Sequence, residues 1–318
     1  RQRSDGGARS RTAALSSSRR HTRPPPPDHT HTPTTTKSTT MSTSNGVEII
    51  CSTSIQHARM LTPTKVTAAR GSVVDYTGTA IVNAANEGCL GGGGVDGAIS
   101  DRGGDSLYEA RTRLPQLKGR RGGFIRCRTG ESKTTHAGEL PCEYVIHSVG
   151  PNYRMYEEEA ADALLYSAYR SAMVEAKRHR MPDVAFCLLS AGIFRGRKSL
   201  YDVLAIGALA VSACVYDGLE EVFLVGFTPA EVETLQTLIE ELLTAETREA
   251  AQAKLFERLA PAVKQMHIDC TAGILEPNLE VGYAVAMQAA AAGGEPIQAG
   301  PVTPGDELMV EGKAVGIS

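Results

Sequence analysis

The sequence predicts an α/β layered domain built on a largely parallel sheet. Short apolar runs at Thr79–Val82, Glu143–Val149, Val184–Leu189 and Val222–Val225 have the length and composition of buried strands. Between them lie stretches with helical spacing: Ala161, Leu164, Leu165, Ala168, Ala172 and Ala176 keep the i, i+3, i+4, i+7 pattern of one buried face. Strands that alternate with helices are joined by crossovers, which sets strands parallel and covers the sheet with helices.

Residues 1–46 stand apart from this pattern. They are rich in Ser, Thr and Pro, carry eight Lys or Arg against Asp5 and Asp28, and contain few apolar residues. So little apolar surface does not offset the entropy of ordering, so this segment is expected to be disordered. Its basic, acid-poor composition fits an organelle transit peptide, and equally a segment outside the mature protein, since Met41 lies just before the folded pattern begins. The domain is expected over 47–245. Its last helix has a legible start: Thr228 suits the N-cap, Pro229 the first helical position, and Glu231 completes a capping box. Leu235, Leu238, Ile239 and Leu242 then form its buried stripe. Residues 246–318 read as a helical extension over Glu246–Leu259, then a tail rich in Ala, Gly and Pro, with a possible hairpin at Asp306–Ile317. No role is assigned to this region.

Composition bounds the function. Apolar residues make up 42% and charged residues 22%, enough for a packed core. No window approaches the ~18 consecutive apolar residues of a membrane span. The net charge of −3 argues against a dedicated duplex-DNA binder. The seven cysteines are widely spaced without a Cys-x-x-Cys pair, so neither a zinc ribbon nor a redox motif is indicated and reduced thiols are expected. A cytoplasmic or nuclear location follows, with organelle import the alternative if the N-terminal segment is a transit peptide.

Two strand-to-helix loops carry the chemistry, and open α/β sheets bind ligands at the carboxyl ends of their strands. The first holds Asn83, Asn86, four consecutive glycines (Gly91, Gly92, Gly93, Gly94), then Val95 and Asp96, and it opens a helix. Glycines let backbone N–H groups turn inward without Cβ obstruction, and with a helix N-terminus behind them they form an anion site. The second loop, Ser190-Ala191-Gly192-Ile193-Phe194-Arg195-Gly196, follows the run VAFCLL and precedes a helix near Leu200. A diphosphate needs contacts from two sides, and two such loops supply them. Phe194 has two readings, a ring closing over a sugar and plain core packing.

Asn86 and Asp96 are the polar residues to single out. The amide can hold a hydroxyl by donor and acceptor together. The carboxylate can take a proton or orient a water, or act only as a favourable charge at its helix N-terminus. His147, inside an apolar strand, reads as structural. No Cys-His pairing and no Gly-x-Ser-x-Gly elbow points to nucleophilic catalysis.

The run Ile81–Ile99, IVNAANEGCLGGGGVDGAI, resembles the signature of macrodomains, nearest their MacroD-like and bacterial O-acetyl-ADP-ribose deacetylase branch. Cys127–Thr135, the run from Leu140-Pro141 to Pro151 and the loop Ser190–Gly196 resemble further family landmarks in the right order, over roughly residues 65–245. The resemblance implies a three-layer α/β/α fold with a mixed, largely parallel sheet and a cleft for ADP-ribose. Gly92, Gly93, Gly94 and Val95, with Ser190, Ala191, Gly192, Ile193 and Phe194, would cradle the diphosphate and distal ribose. Asn83 joins that binding set. Asn86 would hold the distal ribose, and Asp96 would position the catalytic water. No metal and no cofactor is implied.

Two positions depart from the family pattern. Where the family has an Asp that reads adenine, this chain has Ser72, beside Val73 whose backbone N–H is placed to serve the ring. Arg195 stands where glycine is common, either as a cation near the diphosphate or pointing into solvent. The resemblance implies a hydrolase that removes mono-ADP-ribose from acidic side chains of modified proteins or deacetylates O-acetyl-ADP-ribose. The alternatives are a non-catalytic ADP-ribose reader and an ADP-ribose-1″-phosphate phosphatase.

Overall fold

The computed structural model describes residues 42–58, 60–119, 123–244, 246–271, 307–310 and 313–316. The basic segment through residue 41 and the Ala/Gly/Pro-rich stretch after residue 271 lie outside the described residues. In chain order the elements are β1 (Thr43–Ser44), β2 (Val47–Ile55), β3 (Thr64–Arg70), β4 (Ala80–Ala84), α1 (Val95–Thr112), β5 (Leu117–Lys118), β6 (Phe124–Ile125), β7 (Ser132–His136), β8 (Tyr144–Ser148), α2 (Glu158–Arg178), β9 (Asp183–Phe186), α3 (Leu200–Ala213), β10 (Glu221–Gly226), α4 (Pro229–Thr237), α5 (Arg248–Thr271), β11 (Glu307–Val310) and β12 (Lys313–Gly316). β11 and β12 pair antiparallel within the span read as a hairpin, and β5 pairs antiparallel with β6.

The main sheet runs β1-β2-β3-β10-β9-β4-β8-β7. Its five central strands, β3, β10, β9, β4 and β8, are parallel. Both flanks are antiparallel, β2 on β3 and β7 on β8. The four apolar runs of the sequence are β4, β8, β9 and β10, which occupy the interior of the sheet and bury their side chains on both faces.

Helices cover opposite faces, as β8 demonstrates. Successive strand residues point to opposite sides. His147 faces the α1 side, where it joins Asn83 in a network with Asp96. Ser148, its neighbour, donates to the Ala168 carbonyl of α2 at 3.0 Å. α2 in turn packs on α3 and α5. The result is a helix–sheet–helix sandwich whose core includes the stacked rings of Tyr169 and Phe186, 5.4 Å apart. All six apolar positions picked out in α2 are buried.

The α4 cap forms as its sequence dictates: Thr228 Oγ1 accepts from Glu231 N, and Glu231 Oε2 accepts from Thr228 N at 2.7 Å. The stripe then passes into a π-helical turn at Leu238–Leu242. Besides the β11–β12 pair, two elements fall outside the span 47–245. β1 pairs with the start of β2, and α5 inserts Leu255 and Leu259 into the core. Phe256 of α5 meets Tyr166 edge-on at 5.5 Å. Leu259→Ala should therefore lower stability by about 2–5 kcal/mol, as for a buried leucine emptied in place. Urea unfolding of the full chain measures it, and a loss near zero would show that α5 does not belong to the core.

Candidate functional site

Every central strand ends on the same edge of the sheet, so the loops after β3, β4, β8, β9 and β10 gather there. The decisive pair is β4 and β9, which are adjacent. β4 leads to α1 on one face and β9 to α3 on the other, since α3 packs beside α2. Neighbouring strands whose connections diverge leave a crevice between their loops, the usual ligand position in an open α/β sheet. The two loops singled out in the sequence follow these two strands and so flank that position, as its candidate walls.

In the first wall Gly92, Gly93 and Gly94 are exposed. An added Cβ on Gly93 or Gly94 would meet no heavy atom within 4 Å, so these glycines are not demanded by packing. Gly94 has φ 61° and ψ −134°, a conformation that leads into Val95 and that glycine adopts without strain. Behind it lie the first-turn N–H groups of α1, which lack intrahelical partners. Asn86 shapes the loop: its Nδ2 donates to Gly91 O at 2.8 Å and its Oδ1 accepts from Gly88 N at 3.0 Å. One Nδ2 hydrogen remains. Asn86 and Asp96 converge on Gly92, where a Cβ would stand 3.1 Å from Asn86 Nδ2 and 3.0 Å from Asp96 Oδ2.

Asp96 is not an open helix-end charge, because only 3% of it is exposed. Its Oδ1 accepts from Asn83 Nδ2 at 2.8 Å and faces Arg111 Nη2 at 3.3 Å. Its Oδ2 is buried without a hydrogen-bond donor among the described residues. Arg111 is itself 1% exposed and donates from Nη1 to Ser100 Oγ at 2.7 Å. Burial pulls its guanidinium below the ordinary arginine value, with Asp96 opposing that shift. On a straight helix Asp96 and Arg111 would be about 22 Å apart along the axis, far beyond side-chain reach. Gly104, at φ 64° and ψ −165°, breaks α1 and folds its second half back.

Asn83 is fully buried, so it supports the loop from behind instead of lining its surface. Its Nδ2 lies 2.8 Å from Asp96 Oδ1 and 3.2 Å from His147 Nδ1. Thr135 Oγ1 donates to the His136 carbonyl, so it accepts from His147 Nε2 at 2.9 Å. That assigns the Nε2–H tautomer and commits both Asn83 amide hydrogens. Burial, then the Arg111 charge, hold the His147 imidazole well below its usual pKa, so it is neutral.

In the second wall Ser190 has φ 55° and anchors the turn by donating to the Pro151 carbonyl at 2.7 Å. Ala191 is buried, while Gly192 and Ile193 are exposed. Phe194 is partly buried and its carbonyl accepts from Tyr153 N at 2.8 Å. Arg195 does not simply point into solvent: Nε donates to Ala191 O and Nη1 to Lys198 O, so the guanidinium staples its own loop. Beneath, fully buried Asp162 accepts from Tyr153 Oη, Lys198 Nζ and Arg258 of α5. Burial works to lower Lys198, but its bonds to Glu158 and Asp162 hold it above the ordinary lysine value.

Ser72 caps a 3-10 turn, Val73–Asp75, at the carboxyl end of β3; this turn touches α1, and the Val73 side chain is buried. Asp75 is exposed. The site residues that sequence reasoning missed are Arg111 and Asp162, whose partners are distant along the chain. The adjacent glycines Gly103 and Gly104 inside α1 are the only local signal for the first. Among the described residues no His/Cys/Asp/Glu cluster suits a metal ion, and no helix is long and apolar enough to cross a membrane.

The profile of the family described as Macro domain matches residues 82–200, which contain both walls. A macro domain-containing protein of Cupriavidus necator is 38% identical over 157 residues, 49% of this chain and 87% of the relative. O-acetyl-ADP-ribose deacetylase 1 of Pantoea vagans is 38% identical over 163 residues, 51% of this chain and 91% of the relative. The macrodomain of Oceanobacillus iheyensis solved with ADP superposes with a TM-score of 0.50 at 27% identity, over 60% of this chain and 98% of the other.

Proposed function

Because the chain belongs to the macro domain family, we propose that its crevice binds ADP-ribose and hydrolyses an ester of it, either O-acetyl-ADP-ribose or the bond that joins ADP-ribose to an acidic side chain. ADP-ribose binding agrees with the family and with the two walls. The deacetylase name of the Pantoea vagans relative supports the reaction class. The observation that carries the hydrolytic reading is the meeting of the Asn86 amide and the unpaired Asp96 Oδ2 at exposed Gly92. In this reading the diphosphate lies across Gly92–Val95 and Ser190–Phe194. The spare Asn86 hydrogen goes to a ribose hydroxyl, and Asp96 Oδ2 accepts a proton from the attacking water. Water adds to the ester carbon, the C–O bond breaks, and the leaving oxygen takes a proton. Positioning and one acid–base group supply the rate.

One observation favours a second reading. Asp96 is almost wholly buried and its other oxygen is committed to Asn83 and Arg111, which suits a reader that binds ADP-ribose without turnover. Incubating the full chain with O-acetyl-ADP-ribose and with a glutamate-linked mono-ADP-ribosylated protein, and following release of ADP-ribose, separates the two. Tight binding without release selects the reader.

Gly93→Val tests the crevice itself. Nothing lies within 4 Å of a Cβ there, so the melting temperature should stay unchanged. The side chain would project over the exposed loop and weaken ADP-ribose at least ~10-fold by blocking the approach of the diphosphate to the backbone. Calorimetry beside a thermal melt reads both, and an unaltered affinity would remove this loop from the binding site.

A further inference from the structure

A cavity of about 370 Å³ lies at the β7 edge of the sheet, and none of its lining residues belongs to either wall of the crevice. It opens between the end of α1, the β5–β6 hairpin and the end of α2. Leu114 and Leu117 supply apolar surface, while Arg126, Lys133, Arg178 and His179 supply cationic or donor groups. Its one carboxylate, Glu175, is already engaged. Glu175 Oε2 accepts from Thr134 Oγ1 at 2.8 Å, and Arg178 and His179 stand 3.7 Å and 3.9 Å from its two oxygens.

Arg126 and Lys133 are different, because neither has a carboxylate partner among the described residues. Arg126 is 9% exposed, and its Nε is buried with no acceptor. Its one hydrogen bond given by the side chain is long, from Nη1 to Gly88 O at 3.4 Å. A buried guanidinium with an idle donor beside a second unpaired cation is disfavoured unless something negative supplies an acceptor. The volume falls within the range of small-molecule sites, and a mainly apolar wall with a few convergent polar groups is their usual lining.

We propose that this cavity is a second binding site, separate from the ADP-ribose crevice, for a small phosphorylated molecule. Its phosphate sits on Arg126 and Lys133, and its body rests on Leu114 and Leu117. A phosphate oxygen supplies the counter-charge that the Arg126 guanidinium lacks, on the part of the side chain that lines the cavity, and Lys133 provides the second charge-assisted contact. The proposal does not depend on what the crevice does.

The test is a phosphorus-31 NMR titration of the full chain with inorganic phosphate and with ribose 5-phosphate, with excess ADP-ribose present to occupy the crevice. Saturable binding is expected, tighter for ribose 5-phosphate than for inorganic phosphate, and equal affinity for the two would overturn the seat on Leu114 and Leu117. Lys133→Gln should weaken it about 10-fold, the loss of one charge-assisted contact. Its melting temperature and ADP-ribose affinity should not change, because Lys133 lies on the edge strand and touches neither wall. Arg126→Gln should abolish binding, and its melt reports whether it folds. No saturable phosphate signal in the wild type, or equal affinity in Lys133→Gln, overturns the proposal. If calorimetry shows that ADP-ribose itself does not bind, the reading of the crevice fails while the Lys133→Gln comparison still decides this one.

Discussion

Asp96→Ala should lower the stability of the fold by about 3–5 kcal/mol, the loss found when one member of a buried ion pair is removed and its partner stays charged. The sequence alone suggested a milder outcome. A carboxylate in the first turn of an exposed helix contributes about 0.3–1 kcal/mol. Here the carboxylate is buried against Arg111, which has no other carboxylate in contact among the described residues, and accepts from an Asn83 amide whose other hydrogen goes to His147. Urea unfolding gives the number. A control isolates the cause: in Asp96→Leu/Arg111→Met both charges go, and a paired apolar replacement should recover most of the loss. If the double variant is as weak as Asp96→Ala, the ion pair is not the origin. Catalysis is read separately, at a temperature where the single variant is still folded. A missing acid–base group typically reduces single-turnover hydrolysis by about 10²–10⁴. A folded Asp96→Ala that turns over at the wild-type rate would take Asp96 out of the chemistry.

Acid should destabilise the protein through His147. Its imidazole is fully buried, accepts from Asn83, and sits near the Arg111 charge, so its folded pKa lies well below 6.5. The sign follows from linkage. The unfolded chain takes up a proton below its ordinary histidine pKa of about 6.5 while the folded chain does not, so falling pH favours unfolding. The slope in the window between those two values is about 1.4 kcal/mol per pH unit. The loss from this one group should therefore grow as pH falls below 6.5 and level off only once the folded-state imidazole also takes up a proton. The stability is fully present above pH 6.5 and declines as pH falls. Chemical denaturation at several pH values checks it, with His147→Gln as the reference that lacks the slope. Identical pH profiles for the two proteins would show that His147 is not the group responsible.

What the sequence disclosed was local. The α4 start was legible because a capping box needs only residues three apart, and the α2 face because its spacing repeats within one helix. The glycine loop was legible because four glycines before a helix have few other uses. β7 was not, since Ser-Lys-Thr-Thr-His carries no apolar signal. Its inward residues are buried against polar partners, Thr135 on His147 and Ser132 on Ala168 O. The Asp96–Arg111 pair was hidden because their spacing is meaningless on a continuous helix, and only the break at Gly104 makes contact possible. α5 was legible as a helical extension over Glu246–Leu259 but was given no role, although Leu255 and Leu259 stand at i, i+4 and share a face.

The seat of the second wall also sets an order of events during synthesis. Asp162 gathers Tyr153, Lys198 and Arg258. The first two belong to the domain's middle, but Arg258 leaves the ribosome about 60 residues after Lys198, some 3–12 s later at ~5–20 residues per second. Once Gly226 has followed, about halfway through that interval, the nascent chain has both loops of the crevice and all eight strands of the sheet. It lacks the clamp from α5 and the leucines that close over α2. A growing chain therefore passes through a stage with its recognition loops assembled and its apolar flank open, and that stage ends only when the helix arrives.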